Sequence, residues 1–149
     1  MIIQMKMYSC MLILLLLMSV QRGDVYIGKA SYYGGPKDKT VKRGQMMASG
    51  YRFDPDRLEA AHKTLPFGTV VYVRRYMKEG PDLYTSAVIT DRGPYIKGRI
   101  IDLTPAGAEQ LDMIHSGVVP VKVLVMKVGP CKTYKCYKKH PYQRGRKVK

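Results

Sequence analysis

Two residue types in this chain stand where acid–base chemistry could be done. Asp91 opens the turn Asp91-Arg92-Gly93-Pro94, inside the stretch ITDRGPYIKGRIIDLT of residues 89–104. Gly93 permits a positive φ, and Pro94 fixes φ while removing a backbone donor, so the turn is tight. A carboxylate at the mouth of such a turn, beside a guanidinium, suits a site displayed on a rigid sheet. Its plainer reading is an acceptor for its own turn, paired with Arg92. His62 follows Ala60 and Ala61; it reads either as a hydrogen-bonded structural histidine or as an acid–base partner. Asp102, within Ile100-Ile101-Asp102-Leu103, reads as a structural acceptor. Cys131, Cys136 and His140 make an incomplete tetrahedral zinc set, so neither a metal nor a cofactor is expected.

These residues need a scaffold, and the apolar pattern supplies one made mostly of strands. Residues 25–33 (VYIGKASYY) alternate apolar and polar, then break at Gly34-Gly35-Pro36. Residues 69–76 and 83–90 are rich in β-branched and aromatic side chains, and Lys78-Glu79-Gly80-Pro81-Asp82 between them is turn chemistry, which predicts a hairpin. Residues 99–103 form a short apolar strand after the turn. Thr104 as N-cap and Pro105 as first helical residue start a helix expected to run over 106–113, about two turns. Residues 120–128 set Val121, Val123 and Val125 against Lys122, Leu124 and Met126, a closing strand. The chain has no internal repeat. Many short strands with one short helix predict an all-β fold, a small closed β-barrel.

The chain has 149 residues and a net charge of +15, unevenly placed. Residues 130–149 have no hydrophobic period and are expected to be a basic, disordered tail. It holds eight Lys or Arg and no Asp or Glu, so the rest carries 18 basic against 11 acidic residues. That balance favours a polyanionic partner, such as an anionic cell-wall polymer held by the tail. Nucleic-acid binding fits the tail but no motif in the domain. Residues 1–23 read as a signal peptide: Lys6 precedes an apolar run, residues 11–18, that is short for a membrane span. Its cleavage site lacks a clean small-x-small pattern, so membrane attachment is expected only if this segment is retained. Residues 24–129 are the expected domain. Export would leave Cys131 and Cys136 as the remaining cysteines, expected to form a local disulfide in an oxidising compartment.

Five ordered motifs carry a resemblance: GKASYYG (28–34), ASGYRFD (48–54), AAHKTLPFGT (60–69), TDRGPY (90–95) and RIIDLTPAGAEQL (99–111). Together they resemble the rare lipoprotein A family, whose domain is a double-psi β-barrel and which includes lytic transglycosylases of peptidoglycan. The resemblance covers residues 28–128. It implies a six-stranded double-psi barrel with one short helix, its site in a surface groove, acting at the cell envelope as a secreted or periplasmic protein on peptidoglycan glycan strands. Active members are similar in using an Asp in the DRGP motif, a His in the AAH motif and a Glu in a motif like NGERF. Asp91 and His62 match the first two. Tyr51 stands where the Glu would be. Related barrels, the expansins and barwin-like proteins, bind glycans, so the alternative expectation is a non-catalytic glycan-binding module.

The implied chemistry is cleavage of the glycan between MurNAc and GlcNAc to give 1,6-anhydroMurNAc ends. A proton must reach the glycosidic oxygen, and a base must take the proton of the 6-hydroxyl that attacks C1 of its own sugar. One carboxyl can do both in succession, with no water nucleophile. Asp91 is the candidate general acid and base, needing its proton at the outset in a desolvated site. His62 is expected to assist by orienting Asp91, passing a proton or bonding a sugar hydroxyl. Arg92 is expected on substrate or carbonyl oxygens and away from the Asp91 carboxylate. Tyr51, with a phenol pKa near 10, is not a base at neutral pH but can bond and stack a sugar. Tyr33 and Tyr95 are the further substrate-binding candidates.

Overall fold

The computed structural model describes residues 23–35, 38 and 41–129. The expected leader through residue 22, the tail from residue 130 and the Cys131–Cys136 pair lie outside the described residues.

Period-two alternation builds the barrel wall. The strands are β1 (Val25–Tyr32), β2 (Glu59–Ala61), β3 (Val70–Arg75), β4 (Leu83–Asp91), β5 (Arg99–Leu103) and β6 (Val119–Lys127). They close in the order β1-β5-β2-β4-β3-β6. The pairs β1–β5 and β2–β4 are parallel, and the other four are antiparallel. One face of each strand fills the interior: Val71 and Val73, Ala87 and Ile89, Ile101 and Leu103, Val121, Val123 and Val125 are all buried. Closure removes the sheet edges, and the buried apolar surface is the main source of stability. Among the described residues, no helix is long and apolar enough to cross a membrane.

The expected hairpin is present as β3 and β4, in register from Val70↔Val88 to Arg75↔Leu83. Strand β2 has no counterpart in the sequence pattern. It is three residues long and two of them are alanine, too short and too weak in β-propensity to stand out. The helix is shorter than expected. Helix α1 (Pro105–Gln110) ends three residues short of Met113, because Leu111 and Met113 turn into the core, where both are fully buried. Asp112 takes φ 47° to allow that turn. Pro105 opens the helix as predicted, but Thr104 makes no side-chain cap. Its hydroxyl donates to the Arg57 carbonyl and accepts from Glu59 N–H at 3.3 Å, so it fastens the entrance to β2 instead.

Residues 41–58 form a covering segment tied to the end of β4, to the residues just after β1 and to the start of α1. The fold of this segment is a narrow turn held by Met47 N–H to Tyr51 O at 2.8 Å and Phe53 N–H to Gln45 O at 2.7 Å. Phe53 is buried against Tyr33, ring centroids 5.2 Å apart. A side chain at Gly34 would meet the Phe53 ring at 2.2 Å, on a backbone already at φ 68°. Glycine is the residue that lets this segment close on the barrel. At the other end, Gly129 N–H donates to Thr69 Oγ1 at 2.9 Å, and a Cβ there would lie 2.2 Å from the Phe67 carbonyl oxygen.

Candidate active site

Strand pairing brings two carboxylates to one face. Asp91, Ala61, Asp102 and Ser31 are register partners across β4, β2, β5 and β1. The alternation by itself would not do this. Ile89 faces the core, so Asp91, two residues on, would face it too. A register shift between Ala60 and Ala61 sets Ala60 opposite Ile89 but Ala61 opposite Asp91. The extra residue, Thr90, is a bulge, and bulges re-aim side chains at the ends of strands.

Asp91 is fixed by backbone donors. Its Oδ1 accepts from Ala48 N–H and Arg92 N–H, both at 2.9 Å. The first of these comes from the covering segment, which is itself tied to β4 by Ser49 N–H to Thr90 O at 3.1 Å. Oδ2 of Asp91 takes no hydrogen bond among the described residues. One oxygen holds position and the other is available.

The Arg92 guanidinium lies 3.6 Å above the Phe67 ring centroid and donates to the carbonyl oxygens of His62 (3.3 Å) and Asp91 (3.4 Å). His62 is buried, and its Nδ1 accepts from Leu65 N–H at 3.0 Å and Thr64 N–H at 3.2 Å. That leaves Nε2 as the donor nitrogen of a neutral ring. Burial, then the charges of Arg92 and Lys63, lower its pKa from 6.5 to about 4. The imidazole packs edge-on against Tyr26, centroids 5.1 Å apart, and makes no hydrogen bond to the Asp91 side chain. His62 and Asp91 meet through the backbone, His62 N–H donating to Asp91 O at 3.2 Å.

The tyrosines fall into three environments. Tyr95 is 81% exposed beside the turn, its ring 3.9 Å from where a Gly93 Cβ would stand. Tyr51 is half-buried and packs on the core cluster. Tyr33 is half-buried, with its hydroxyl 3.8 Å from Met47 Sδ. Burial first, then the negative charges of Asp91, Glu59 and Asp102, raise the Tyr33 pKa well above 10.0. It is a proton-bearing donor among three carboxylates.

Sequence reading missed the company Asp102 keeps. It is a structural acceptor as expected, taking a hydrogen bond on Oδ1 from the Ser31 hydroxyl. Its Oδ2 also faces the catalytic-candidate turn, 3.9 Å from a Cβ placed on Gly93. Burial raises its pKa from 3.8, Asp91 adds to the rise, and Ser31 and Arg99 oppose it. The signal available in the sequence was parity: with Ile101 and Leu103 in the core, Asp102 must face outward. Glu59, buried two residues before Ala61 on the same face of β2, was likewise unmarked. A depression of about 390 Å³ between residues 55–58 and α1 contains none of the candidate residues. Among the described residues, no cluster of His, Cys, Asp and Glu is placed to hold a metal.

A closed, mixed, six-stranded barrel with its motif residues at the strand ends is a double-psi β-barrel. The family model described as "Lytic transglycolase" matches residues 26–123, and the chain belongs to that family. It is 42% identical over 111 residues to the probable endolytic peptidoglycan transglycosylase RlpA of Aquifex aeolicus, covering 74% of this chain and 46% of that protein. It is 36% identical over 107 residues to the endolytic peptidoglycan transglycosylase RlpA of Campylobacter jejuni, covering 72% and 36%. The chain thus spans less than half the length of these curated relatives. Among solved structures, Streptomyces papain inhibitor superposes with TM-score 0.49 at 22% identity, covering 68% of this chain and 94% of that one.

Proposed function

We propose that the protein is a cell-envelope enzyme that cleaves the glycan strand of peptidoglycan by lytic transglycosylation, with Asp91 as its acid–base group. The observation that carries this reading is the clamp on Asp91: two backbone N–H groups fix Oδ1 and leave Oδ2 available to a sugar. The names of the relatives supply the substrate class. The C1–O bond to the leaving sugar breaks as a carboxyl proton passes to that oxygen. The 6-hydroxyl oxygen then bonds to C1 and gives its proton to a carboxylate, so the proton count is restored and no water is consumed.

His62 supports the site as a neutral donor. With a pKa of about 4 and Nδ1 already accepting, it offers Nε2–H to a sugar hydroxyl rather than relaying protons at neutral pH. Arg92, locked on Phe67 and two carbonyl oxygens, braces the turn that carries Asp91. Tyr95 and Tyr33 offer a sugar an exposed ring and a phenol donor. The basic residues of 130–149 add a salt-sensitive hold on anionic wall polymer.

The test is release of 1,6-anhydro ends from denuded glycan strands, read by mass spectrometry. Wild type is expected to release them and Asp91→Asn is not, while binding of glycan is kept. Activity surviving Asp91→Asn would remove Asp91 from the reaction. A second reading, a glycan-binding module without turnover, is favoured by Tyr51, which packs on the core where resembling active members carry a Glu. Wild type and Tyr51→Glu both silent, with glycan binding retained, would establish it.

A further inference from the structure

A group of cations gathers where β1 and β5 begin to pair. Lys29 and Arg99 are register partners, and Lys29 N–H donates to the Gly98 carbonyl at 3.1 Å, which seats Lys29 against residues 97–99. Lys97 is exposed on the turn just before Arg99, Lys29 is exposed on β1, and Arg99 is half-buried. Like charges set opposite each other across a strand pair repel, so this arrangement costs stability. Elsewhere the guanidinium groups are matched: Arg43 by Asp54 and Asp56, Arg57 by Asp54, and Arg74 by Asp82. Among the described residues, Lys29, Lys97 and Arg99 make no ion pair. The facing acid is Asp102, whose Oδ1 is taken by the Ser31 hydroxyl and whose burial favours the neutral form. On the other side of β1, strand β6 sets Pro120 opposite Lys29 and adds Lys122, with no acidic residue along its length. The cluster therefore keeps a net positive charge.

One run of contacts joins this charge to the candidate site. Arg99 Nη1 donates to the Ser31 hydroxyl at 3.3 Å, and that hydroxyl donates to Asp102. Ser31, Asp102, Ala61 and Asp91 are register partners across β1, β5, β2 and β4. Each strand step is about 4.8 Å, so Ser31 stands at most about 14 Å from Asp91 along the row. That is farther than one sugar reaches. A polymer lying across the row with its scissile bond at Asp91 brings a neighbouring sugar over the cations.

We propose that Lys29, Lys97 and Arg99 form an anion subsite that takes a carboxylate of the glycan strand, on a sugar neighbouring the bond that is cleaved. The inference rests on the transglycosylase reading above for the identity of the polymer. Muramic acid differs from the other sugar of the strand by a lactyl ether that ends in a carboxyl. Where no peptide is attached that carboxyl is free and charged; where a peptide is attached, the charge sits on the peptide's own carboxylates. Either source presents the same group. A guanidinium forks onto a carboxylate with two parallel hydrogen bonds, and the flanking ammonium groups add point charge. Binding such an anion relieves the repulsion between Lys29 and Arg99, so the stability given up in the free protein returns in the complex.

The test is binding by the full chain, read by calorimetry in an Asp91→Asn background so that no ligand is consumed. The probes are denuded glycan oligosaccharides with free lactyl carboxylates and the same oligosaccharides with those carboxyls converted to amides. Peptide-bearing strands before and after the same amidation form the second pair. The carboxylate form is expected to bind more tightly, and Arg99→Gln is expected to lose about tenfold of that preference. Lys29→Gln is expected to lose a smaller part, and Arg99→Lys to keep more than Arg99→Gln. Because the basic residues of 130–149 also favour carboxylates, the deciding quantity is the preference lost on substitution. Lys78→Gln, on the exposed turn between β3 and β4, is expected to lose none. A preference unchanged in Arg99→Gln and Lys29→Gln, or reduced equally by Lys78→Gln, would overturn the proposal. Should Arg99→Gln fail to fold, the double variant Lys29→Gln/Lys97→Gln replaces it, since both side chains are exposed. A substitution-sensitive preference among the denuded pair assigns the lactyl carboxylate, and one confined to the peptide-bearing pair assigns the peptide. A chain with Asp91 intact that releases no anhydro ends, yet whose preference these substitutions abolish, would remove the transglycosylase reading and leave the subsite. An active chain whose preference they leave untouched would remove the subsite alone.

Discussion

The barrel has two unlike halves. Strands β4, β3, β6 and β1 form a wall of antiparallel pairs, with runs of six aligned partners in β3–β4 and β1–β6. Its one register shift lies at the end of β3, between Val70 and Val71. On its outer side Tyr72 and Tyr84 stack at 5.4 Å, and Arg74 lies 4.8 Å over Tyr76 while pairing with Asp82. The half around β2 holds both parallel pairs, β2 itself has three residues, and shifts occur at Lys29/Ala30 and Ala60/Ala61. Every candidate for chemistry sits in this second half or on the segment covering it. Long regular pairing satisfies the backbone within the sheet. Short, shifted pairing leaves N–H groups and re-aimed carboxylates at the rim, where they can meet a ligand.

If the halves divide labour this way, single substitutions should separate activity from stability. The largest expected effect is Asp91→Asn: anhydro-product release falls about 10²–10⁴-fold with the melting temperature nearly unchanged. Next is Val123→Ala, in the middle of β6 and fully buried. Removing two buried methyl-sized groups costs about 2 kcal/mol in a denaturant titration, with turnover per folded molecule intact. A fall in turnover there would show that the regular wall also shapes the site.

The third effect is a pH dependence located in the irregular half. His62 has its pKa depressed from 6.5 to about 4 in the folded protein. The unfolded chain therefore binds the proton more readily between those values. The stability contributed by the neutral ring is full above pH 6.5 and is lost progressively as pH falls toward 4. Asp102, raised from 3.8, works in the opposite direction over the acid part of this window. The measurement is the difference in urea midpoint between wild type and His62→Gln from pH 7 to pH 4.5, which is expected to shrink as pH falls. A constant difference would mean that the ring is not held neutral. The smallest effect is Tyr72→Ser on the outer wall, expected to cost about 1 kcal/mol through the lost Tyr84 stack and to leave glycan cleavage and binding unchanged.

The regular half was open to sequence reading, because period-two alternation and the turn at residues 78–82 report directly on a hairpin. The irregular half was open only through its motifs. A three-residue strand has no period, so β2 was invisible, and the helix lost its last turn to the burial of Leu111 and Met113. Asp91 could be singled out from its turn. The bulge at Thr90 that turns it outward depends on which residue of β2 it meets, and such pairing is not written in local pattern. The same holds for Asp102: its parity was readable, its neighbour across Ala61 was not. For His62, both nitrogens were open possibilities until the N–H groups of Thr64 and Leu65 were found on Nδ1.

The seat of Gly129 bears on how the closing strand is tied to the candidate site. No side chain fits there, with backbone atoms of residues 67–69 at 2.2–2.5 Å from a would-be Cβ. Gly129 is therefore seated beside Phe67, the ring that carries the Arg92 guanidinium. The end of the closing strand is thus fastened under the ring that braces the Asp91 turn, so any substitution at Gly129 is expected to disturb that turn together with β6.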